Sequence, residues 1–392
     1  MTDDTTRQAR PMRILYFGTY RANYARNRVM IEGLRKNGAE VIECQETLWR
    51  GIEDRVQLAS GGWKHPEFWW RAVRAYARLL WRYARVGRYD VMVVGYPGQF
   101  DVFLAWLLTR LHRRPLCWDI LMSIYLVAVE RKLDRFSTFT VEMLRRIERL
   151  ACRLPDLLVL DSPVYLRWFC ETHQLSPERF CVVPLGTNHD VVETPVIPSN
   201  QDIFRVVYFG SFLPSHGVDK MIAAAAEFAG DPAVQFEMIG TGPELDRVRD
   251  QAEKMGLSNV IFPGFLDPQT FADHIASADV ALGVFGDTAQ SMMTVQNKIY
   301  ECLAMGKALI TGESPLILDT FEHGRHMFIC PRTPESLAEG IRTLRHDPAL
   351  RERIARQGNA YFKEHFQVEK IGRQFKDFLE EIVREQQDED RD

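Results

Sequence analysis

Short apolar runs alternate along nearly the whole chain with longer segments in which apolar residues recur every three or four positions. A run such as RILYFG (13–18) or ALITG (308–312) is too short for a helix and too apolar for a strand with one wet face. It suits a parallel strand covered by helices on both sides. Six such runs come first: RILYFG, EVIEC (40–44), DVMVVGY (90–96), PLCWDI (115–120), LLVLDS (157–162) and CVVPLG (181–186). The segment VVETPVIPSNQD (191–202) interrupts the rhythm, which restarts with RVVYFGS (205–211), VQFEMIG (234–240), NVIFPGF (259–265), DVALGVF (279–285), ALITG and MFIC (327–330). The pattern predicts an α/β protein of two Rossmann-like, doubly wound parallel-sheet domains, 1–195 and 196–365. In the final segment, 366–392, Val368, Ile371, Phe375, Phe378, Leu379 and Ile382 recur at helical spacing before a polar tail.

One predicted helix, 67–87, departs from a simple amphipathic pattern. On a helical wheel Arg71, Arg74, Arg78, Arg82 and Arg85 form one stripe, and Trp70, Val73, Ala77, Leu80, Trp81 and Ala84 form an adjoining one. Trp69, Ala72, Tyr76, Leu79 and Tyr83 make the remainder apolar or aromatic as well. A helix lying on a sheet needs one apolar stripe, so the surplus expects a second partner. Either the tryptophans are buried and the arginines merely solvated, or the helix binds the interface of an anionic bilayer.

Charge sharpens that choice. The 392 residues carry a net charge of −4, but residues 1–195 hold 29 Lys+Arg against 22 Asp+Glu, net +7, and the remainder 20 against 31, net −11. A nucleic-acid partner is not expected, and an anionic partner is expected on the N-terminal half. Seven scattered cysteines without CxxC or metal-ligand spacing fit a reduced, cytoplasmic setting. The start MTDDTTRQARPMR lacks the apolar core of a secretory signal, and no apolar run approaches the ~20 residues that span a bilayer. Any membrane contact is expected to be peripheral.

The first strand of each half ends on a glycine followed by a hydroxyl: YFGTY (16–20) and YFGSF (208–212). Glycine at the carboxyl end of a parallel strand lets an anion approach backbone N–H groups at the next helix start, although it also serves as a plain tight turn. Neither site completes GxGxxG, so dinucleotide binding is not indicated.

Five linked segments carry a more specific signal: YFGSFLPSHGVDKMIAAAAEF, FEMIGTGPELDRVRDQAEKMGL, VIFPGFLD, ADVALGVFGDTAQ and VQNKIYECLAMGKALITG. In order and spacing they resemble the nucleotide-sugar-binding domain of family 4 glycosyltransferases, the retaining GT-B enzymes. The resemblance extends weakly over the N-terminal half. It implies two domains facing a cleft, with the last helix crossing back to the first domain. It also implies a UDP- or GDP-sugar as substrate, with no cofactor. Donor contacts would then fall on Gly210, Ser211, Gly240 and Phe265, and on the loop of Gly286, Asp287 and Thr288. The helix start with Asn297, Lys298 and Glu301 completes the set. Glu301 would accept the two ribose hydroxyls, the alternative being a solvated helix-face glutamate. Lys298 would meet the diphosphate as a point charge, the loop as a nest of N–H donors.

Two positions depart from the family pattern. Where it reads G-R-L-x-x-x-K-G, this chain has GSFLPSHG, so Ser211 and His216 replace two permanent cations. A histidine beside a diphosphate is expected to be cationic, with its pKa raised, unless it is a neutral loop cap. The family's first glutamate, eight positions before Glu301, is Met293. That carboxylate addresses the transferred sugar, whose identity therefore does not carry over.

In the N-terminal half, Asp119 of WDILMSIY (118–125) is the candidate to orient or deprotonate an acceptor hydroxyl, or to cap the following helix. Ser123 and Glu130 are secondary candidates. Gly18 and Thr19 are expected to face the donor diphosphate, with Arg26 and Asn27 beginning the next helix. Asp119, Lys298 and His216 form the expected catalytic set. A retaining mechanism of this type needs position and positive potential but no enzymic nucleophile, and the lack of a DxD-like pair predicts metal independence. The expected activity is hexosyl transfer to a saccharide or polyprenyl-linked acceptor at the inner face of the cell membrane. A UDP-sugar 2-epimerase of the same architecture and a non-catalytic nucleotide-sugar-binding protein are the alternatives.

Overall fold

A computed structural model describes residues 10–48, 66–130, 138–187 and 203–391. The linker 191–202, the expected boundary at residue 195 and positions 49–65 lie outside the described residues. The chain divides into two units: residues up to Pro184 together with Val368 onward, and Leu185–Gln367.

Each unit is built on a six-stranded sheet paired in parallel throughout. The first holds β1 (Arg13–Gly18), β2 (Glu40–Gln45), β3 (Val91–Val94), β4 (Leu116–Asp119), β5 (Leu157–Leu160) and β6 (Phe180–Val182), in the order β2-β1-β3-β4-β5-β6. Its helices are α1 (Ala25–Lys36), α2 (Pro66–Tyr83), α3 (Asp101–His112), α4 (Ile124–Glu130), α5 (Thr138–Ala151) and α6 (Pro163–His173). The second sheet holds β7 (Phe204–Gly210), β8 (Val234–Gly240), β9 (Val260–Gly264), β10 (Val280–Leu282), β11 (Ala308–Gly312) and β12 (Phe328–Cys330), in the order β12-β11-β10-β7-β8-β9. Around it lie α7 (Val218–Ala226), α8 (Leu245–Lys254), α9 (Pro268–Ser277) and α10 (Ala289–Met293), then α11 (Asn297–Ala304), α12 (Pro315–Thr320), α13 (Pro334–His346) and α14 (Pro348–His365). All twelve expected runs are strands, because a strand covered on both faces must be apolar at every position. In both sheets the order reverses beside the first strand, and in open α/β sheets ligands bind at the carboxyl ends by that reversal.

The last helix, α15 (Val368–Glu389), packs on α1 of the first unit. Val368, Ile371, Phe375, Leu379 and Ile382 form its buried face, as their spacing predicts. Backbone meets backbone at Gly33 and Gly372: a Cβ on Gly33 would lie 2.6 Å from the Val368 carbonyl oxygen and 2.7 Å from the Gly372 Cα. Only glycine permits that approach. The Lys36–Glu369 ion pair (2.6 Å) and the Asn37 amide donating to the Glu369 carbonyl (2.8 Å) fix the register.

Helix α2 answers the question raised by its two apolar stripes. Ala72, Ala75 and Leu79 are buried, with Phe68 and Tyr76 half-buried beside them. The other stripe faces solvent, with Trp70 69% and Trp81 60% exposed. No helix among the described residues is long and apolar enough to cross a membrane.

Candidate functional site

The second unit gathers its chemistry at the carboxyl end of β7. Gly210 and Gly240 end neighbouring strands in register, with Gly240 at φ +125°, where a Cβ would overlap the Gly210 carbonyl oxygen. The loop after β7 turns through a 3-10 segment to Gly217, whose positive φ of 64° starts α7. That loop is pressed against the one after β10. A Cβ on Gly286 would overlap the Pro214 carbonyl oxygen, and one on Gly217 the Gly286 amide nitrogen. Arg332 holds this second loop from beneath, donating to the carbonyls of Gly286, Ser291 and Glu313. Thr288 caps α10 by accepting from the Ser291 amide (3.2 Å), and Asp287 pairs with Lys220. Arg332 and Lys220 were not singled out in the sequence: each takes its meaning from a partner more than 40 residues away.

Helix α11 brings Lys298 back over this floor. Its Nζ stands 3.2 Å from His216 Nδ1, 3.8 Å from the centre of the Tyr208 ring, and beside Gly210, where a Cβ would meet it at 2.9 Å. Tyr208 Oη lies 2.7 Å from the same imidazole nitrogen. Burial pushes the Lys298 ammonium down to about 7, with Cys302 and Glu301 pulling upward. Burial, and then the neighbouring Lys298, drive His216 well below its ordinary value. The expected rise concerned an imidazole beside a diphosphate; the protein surroundings of His216 by themselves act in the opposite direction. These surroundings favour the neutral imidazole, whose Nδ1 lies within hydrogen-bond distance of both Lys298 Nζ and Tyr208 Oη.

Glu301 lies one turn beyond Asn297 and Lys298 on the same face of α11, half-buried and electrostatically coupled to Lys298. Asn297 Oδ1 and Gln296 Oε1, at the start of this helix, are buried and have no hydrogen-bond partner among the described residues. Ser211 is exposed, Phe265 stands 85% exposed in the loop after edge strand β9, and Met293 is buried as an apolar residue. The second unit therefore offers a glycine-floored anion seat, a lysine and a helix-face carboxylate within one turn, and an exposed aromatic ring. Such a set suits a diphosphate, a vicinal diol and a planar base.

Candidates in the first unit resolve differently. Asp119 and Arg26 are both fully buried and form a two-pronged ion pair (Nε–Oδ2 2.9 Å, Nη2–Oδ1 3.0 Å). Arg26 Nη1 also donates to the carbonyls of Val183 (2.8 Å) and Pro184 (2.7 Å). With both carboxylate oxygens accepting from Arg26, Asp119 ties the end of β4 to α1, and Arg26 in turn ties both to the residues after β6. Arg26 is unavailable to an anion. The amide and hydroxyl of Thr19 both donate to Asp101 (2.7 and 3.0 Å), and a Cβ on Gly18 would lie 2.7 Å from the same carboxylate. The Gly18–Thr19 turn thus rests on the Asp101 carboxyl, to which the Thr19 amide and hydroxyl are both committed. Asn27 bridges the backbone of Arg21 and Tyr96. Ser123 caps α4 and donates to Glu148 (2.5 Å), while Glu130 ends that helix half-buried.

A different carboxyl is left with an unpartnered oxygen. Asp161 follows β5 as Ile120 follows β4; it is 93% buried by its 7% exposure, and its Oδ1 has no hydrogen-bond partner among the described residues. Burial pushes it up to about 7 against the pull of Arg26. Its signal was the aspartate closing LLVLDS, one residue past the strand.

The comparisons with known proteins agree with this architecture. The family described as "Glycosyl transferases group 1" matches residues 203–347, and the "Glycosyl transferase 4-like domain" matches residues 18–186. The lipopolysaccharide core biosynthesis glycosyltransferase LpsD of Rhizobium meliloti is 30% identical over 46% of this chain and 51% of its own length. The alpha-D-kanosaminyltransferase of Streptomyces kanamyceticus is 29% identical over 38% of each chain. These alignments span about half or less of the curated relatives. Among solved structures, the HepE protein of Anabaena in complex with UDP and glucose has a TM-score of 0.64 at 18% identity, covering 94% of this chain and all of that one. Sucrose-phosphate synthase of Thermosynechococcus elongatus has a TM-score of 0.71 at 16% identity, covering 95% and 99%. With the two matched domains each lying on its own parallel-sheet unit, the chain belongs to the family 4-like glycosyltransferases of the GT-B fold.

Proposed function

We propose that the protein transfers a hexosyl group, with retention, from a UDP- or GDP-sugar to a hydroxyl of a saccharide or polyprenyl-linked acceptor at the inner face of the cell membrane. The observation that carries this reading is the Gly210–His216–Lys298–Glu301 constellation at the carboxyl end of β7. Lys298 and the amides of the two glycine loops take the diphosphate, Glu301 accepts the ribose hydroxyls, and Phe265 flanks the base. The bond from the anomeric carbon to the β-phosphate oxygen breaks as the acceptor oxygen bonds on the same face. The acceptor proton passes to the departing phosphate oxygen, leaving glycoside and nucleoside diphosphate. The protein supplies position and positive potential, and no divalent cation is required. Surface-polysaccharide or glycolipid assembly is supported by the name of the Rhizobium relative.

The test is release of nucleoside diphosphate from a panel of nucleotide sugars, with and without membrane-lipid extract, in the presence and absence of EDTA. Acceptor-dependent release that survives EDTA and is lost in Lys298→Ala is expected. Conversion of the free nucleotide sugar without release would favour the epimerase alternative, and no turnover of any donor would contradict the proposal.

A further inference from the structure

Consecutive right-handed crossovers from β2 to β3 and from β3 to β4 run in the same direction along the sheet, so α2 and α3 lie on the same face. They touch at two places. Near the start of the pair Tyr76 Oη donates to Asp101 Oδ1 (2.7 Å), and at the end Tyr83 Oη lies 3.1 Å from His112 Nδ1. These contacts join the exposed stripe of α2 to a second one that the sequence did not reveal. On α3, Leu107 and Leu111 are 51% and 70% exposed, one turn apart, and on neighbouring α2 Trp69, Trp70, Val73, Leu80 and Trp81 are exposed as well. Single exposed apolar residues are ordinary, whereas large apolar exposure concentrated on two neighbouring helices marks an interaction surface.

Charge indicates what covers it. The acids on these two helices are Glu67, at the start of α2, and the buried Asp101. The arginines fall on the flank of α2 away from α3. Arg82 is committed to Glu46 (3.0 Å) and Arg110 of α3 to Asp156 (3.3 Å). Arg74, Arg78 and Arg85 have no carboxylate partner among the described residues, and Arg85 lies over the Trp81 ring (3.4 Å to its centre). Tryptophan and leucine bordered by arginine match the layering of a bilayer interface, with apolar groups at the acyl boundary and cations at the phosphates.

We propose that α2 and α3 together form a docking plate for an anionic bilayer. Trp69, Trp70, Trp81, Leu107 and Leu111 enter the interface, and Arg74, Arg78 and Arg85 lie on the headgroup phosphates. The proposal deepens the reading of a membrane-linked acceptor and rests on it only for its purpose, because docking is measured without any sugar.

The experiment is flotation of the full chain with vesicles of phosphatidylcholine alone or mixed with phosphatidylglycerol. Wild-type protein is expected to float with the mixed vesicles at low salt and to be released as salt rises. Replacing Arg74, Arg78 and Arg85 by Gln should weaken partition by about five-fold per arginine. Leu107→Ser with Leu111→Ser should weaken it at every salt concentration, while Leu318→Ser, an exposed apolar change in the second unit, should float like the wild type. Thermal unfolding and nucleoside diphosphate binding, read on each variant, separate docking from misfolding. Wild-type protein that stays at the bottom with mixed vesicles at low salt overturns the proposal and points to an acidic protein partner. Normal flotation of the folded double leucine variant overturns the two-helix plate.

Discussion

At the scale of single residues, Lys298 and Glu301 have opposite tasks one turn apart, and each makes a separate prediction. Glu301→Ala should weaken nucleoside diphosphate binding by about 1.5–3 kcal/mol, the range for hydrogen bonds to a charged group, without unfolding the protein. Calorimetric titration checks it, and unchanged affinity would remove Glu301 from the site. Lys298 sets a pH dependence. Its folded value of about 7 lies below the ordinary lysine value, so between the two the unfolded chain binds the extra proton. Stability contributed by this group therefore rises with pH across that window. Binding runs the other way: a diphosphate favours the ammonium, so affinity is full below about pH 7 and declines above it, by up to tenfold per pH unit for one proton. Titrations in buffers of differing ionisation heat should show net proton uptake above pH 7, and their absence would contradict the role. Asp119→Asn should act through the fold, since it leaves the Arg26 charge buried and uncompensated at a cost of about 3–5 kcal/mol. Denaturant unfolding should register that loss, and the variant that remains folded should bind nucleoside diphosphate like the wild type. Lys298 and Glu301 were legible through the resemblance carried by VQNKIYECLAMGK, and their spacing puts them on one helix face. The state of His216 was not, because Lys298, 82 residues away, and burial decide it. The ion pair of Asp119 was hidden for the same reason: its partner, Arg26, is 93 residues distant.

At the scale of elements, strands were the most legible feature, and α2 shows where periodicity stops deciding. A strand buried on both faces has no alternative reading, whereas a helix with two apolar stripes can turn either inward. Here small Ala72 and Ala75 face inward, letting the helix lie close to its support, and the bulky tryptophans remain outside. Helix spacing also found α15, but the close crossing at Gly33 and Gly372 is visible only in three dimensions. In an open helix Gly33→Ala would stabilise by up to about 1 kcal/mol. At this crossing its Cβ would strike the α15 backbone, so the variant should instead be destabilised by about 1–3 kcal/mol. Denaturant midpoints decide between the two, and a stabilised variant would show that α15 does not pack on α1 as described.

At the scale of the whole molecule, charge is less polarised between the two structural units than between the two halves of the sequence, with the same sign on each. The first unit, with α15 and the tail included, carries 34 Lys+Arg against 29 Asp+Glu, net +5, and the second 15 against 24, net −9. The acidic unit is the one assigned an anionic donor, so attraction must come from the local field of Lys298 and the glycine-loop amides and not from net charge. The most direct test is therefore calorimetric titration of the full chain with UDP and with GDP, on wild type and Lys298→Ala, near neutral pH. Saturable binding of at least one of the two, weakened about tenfold or more by the substitution, is the predicted result. Absence of saturable binding to either nucleotide, or binding that Lys298→Ala leaves unchanged, would contradict the assignment of the β7–α11 site.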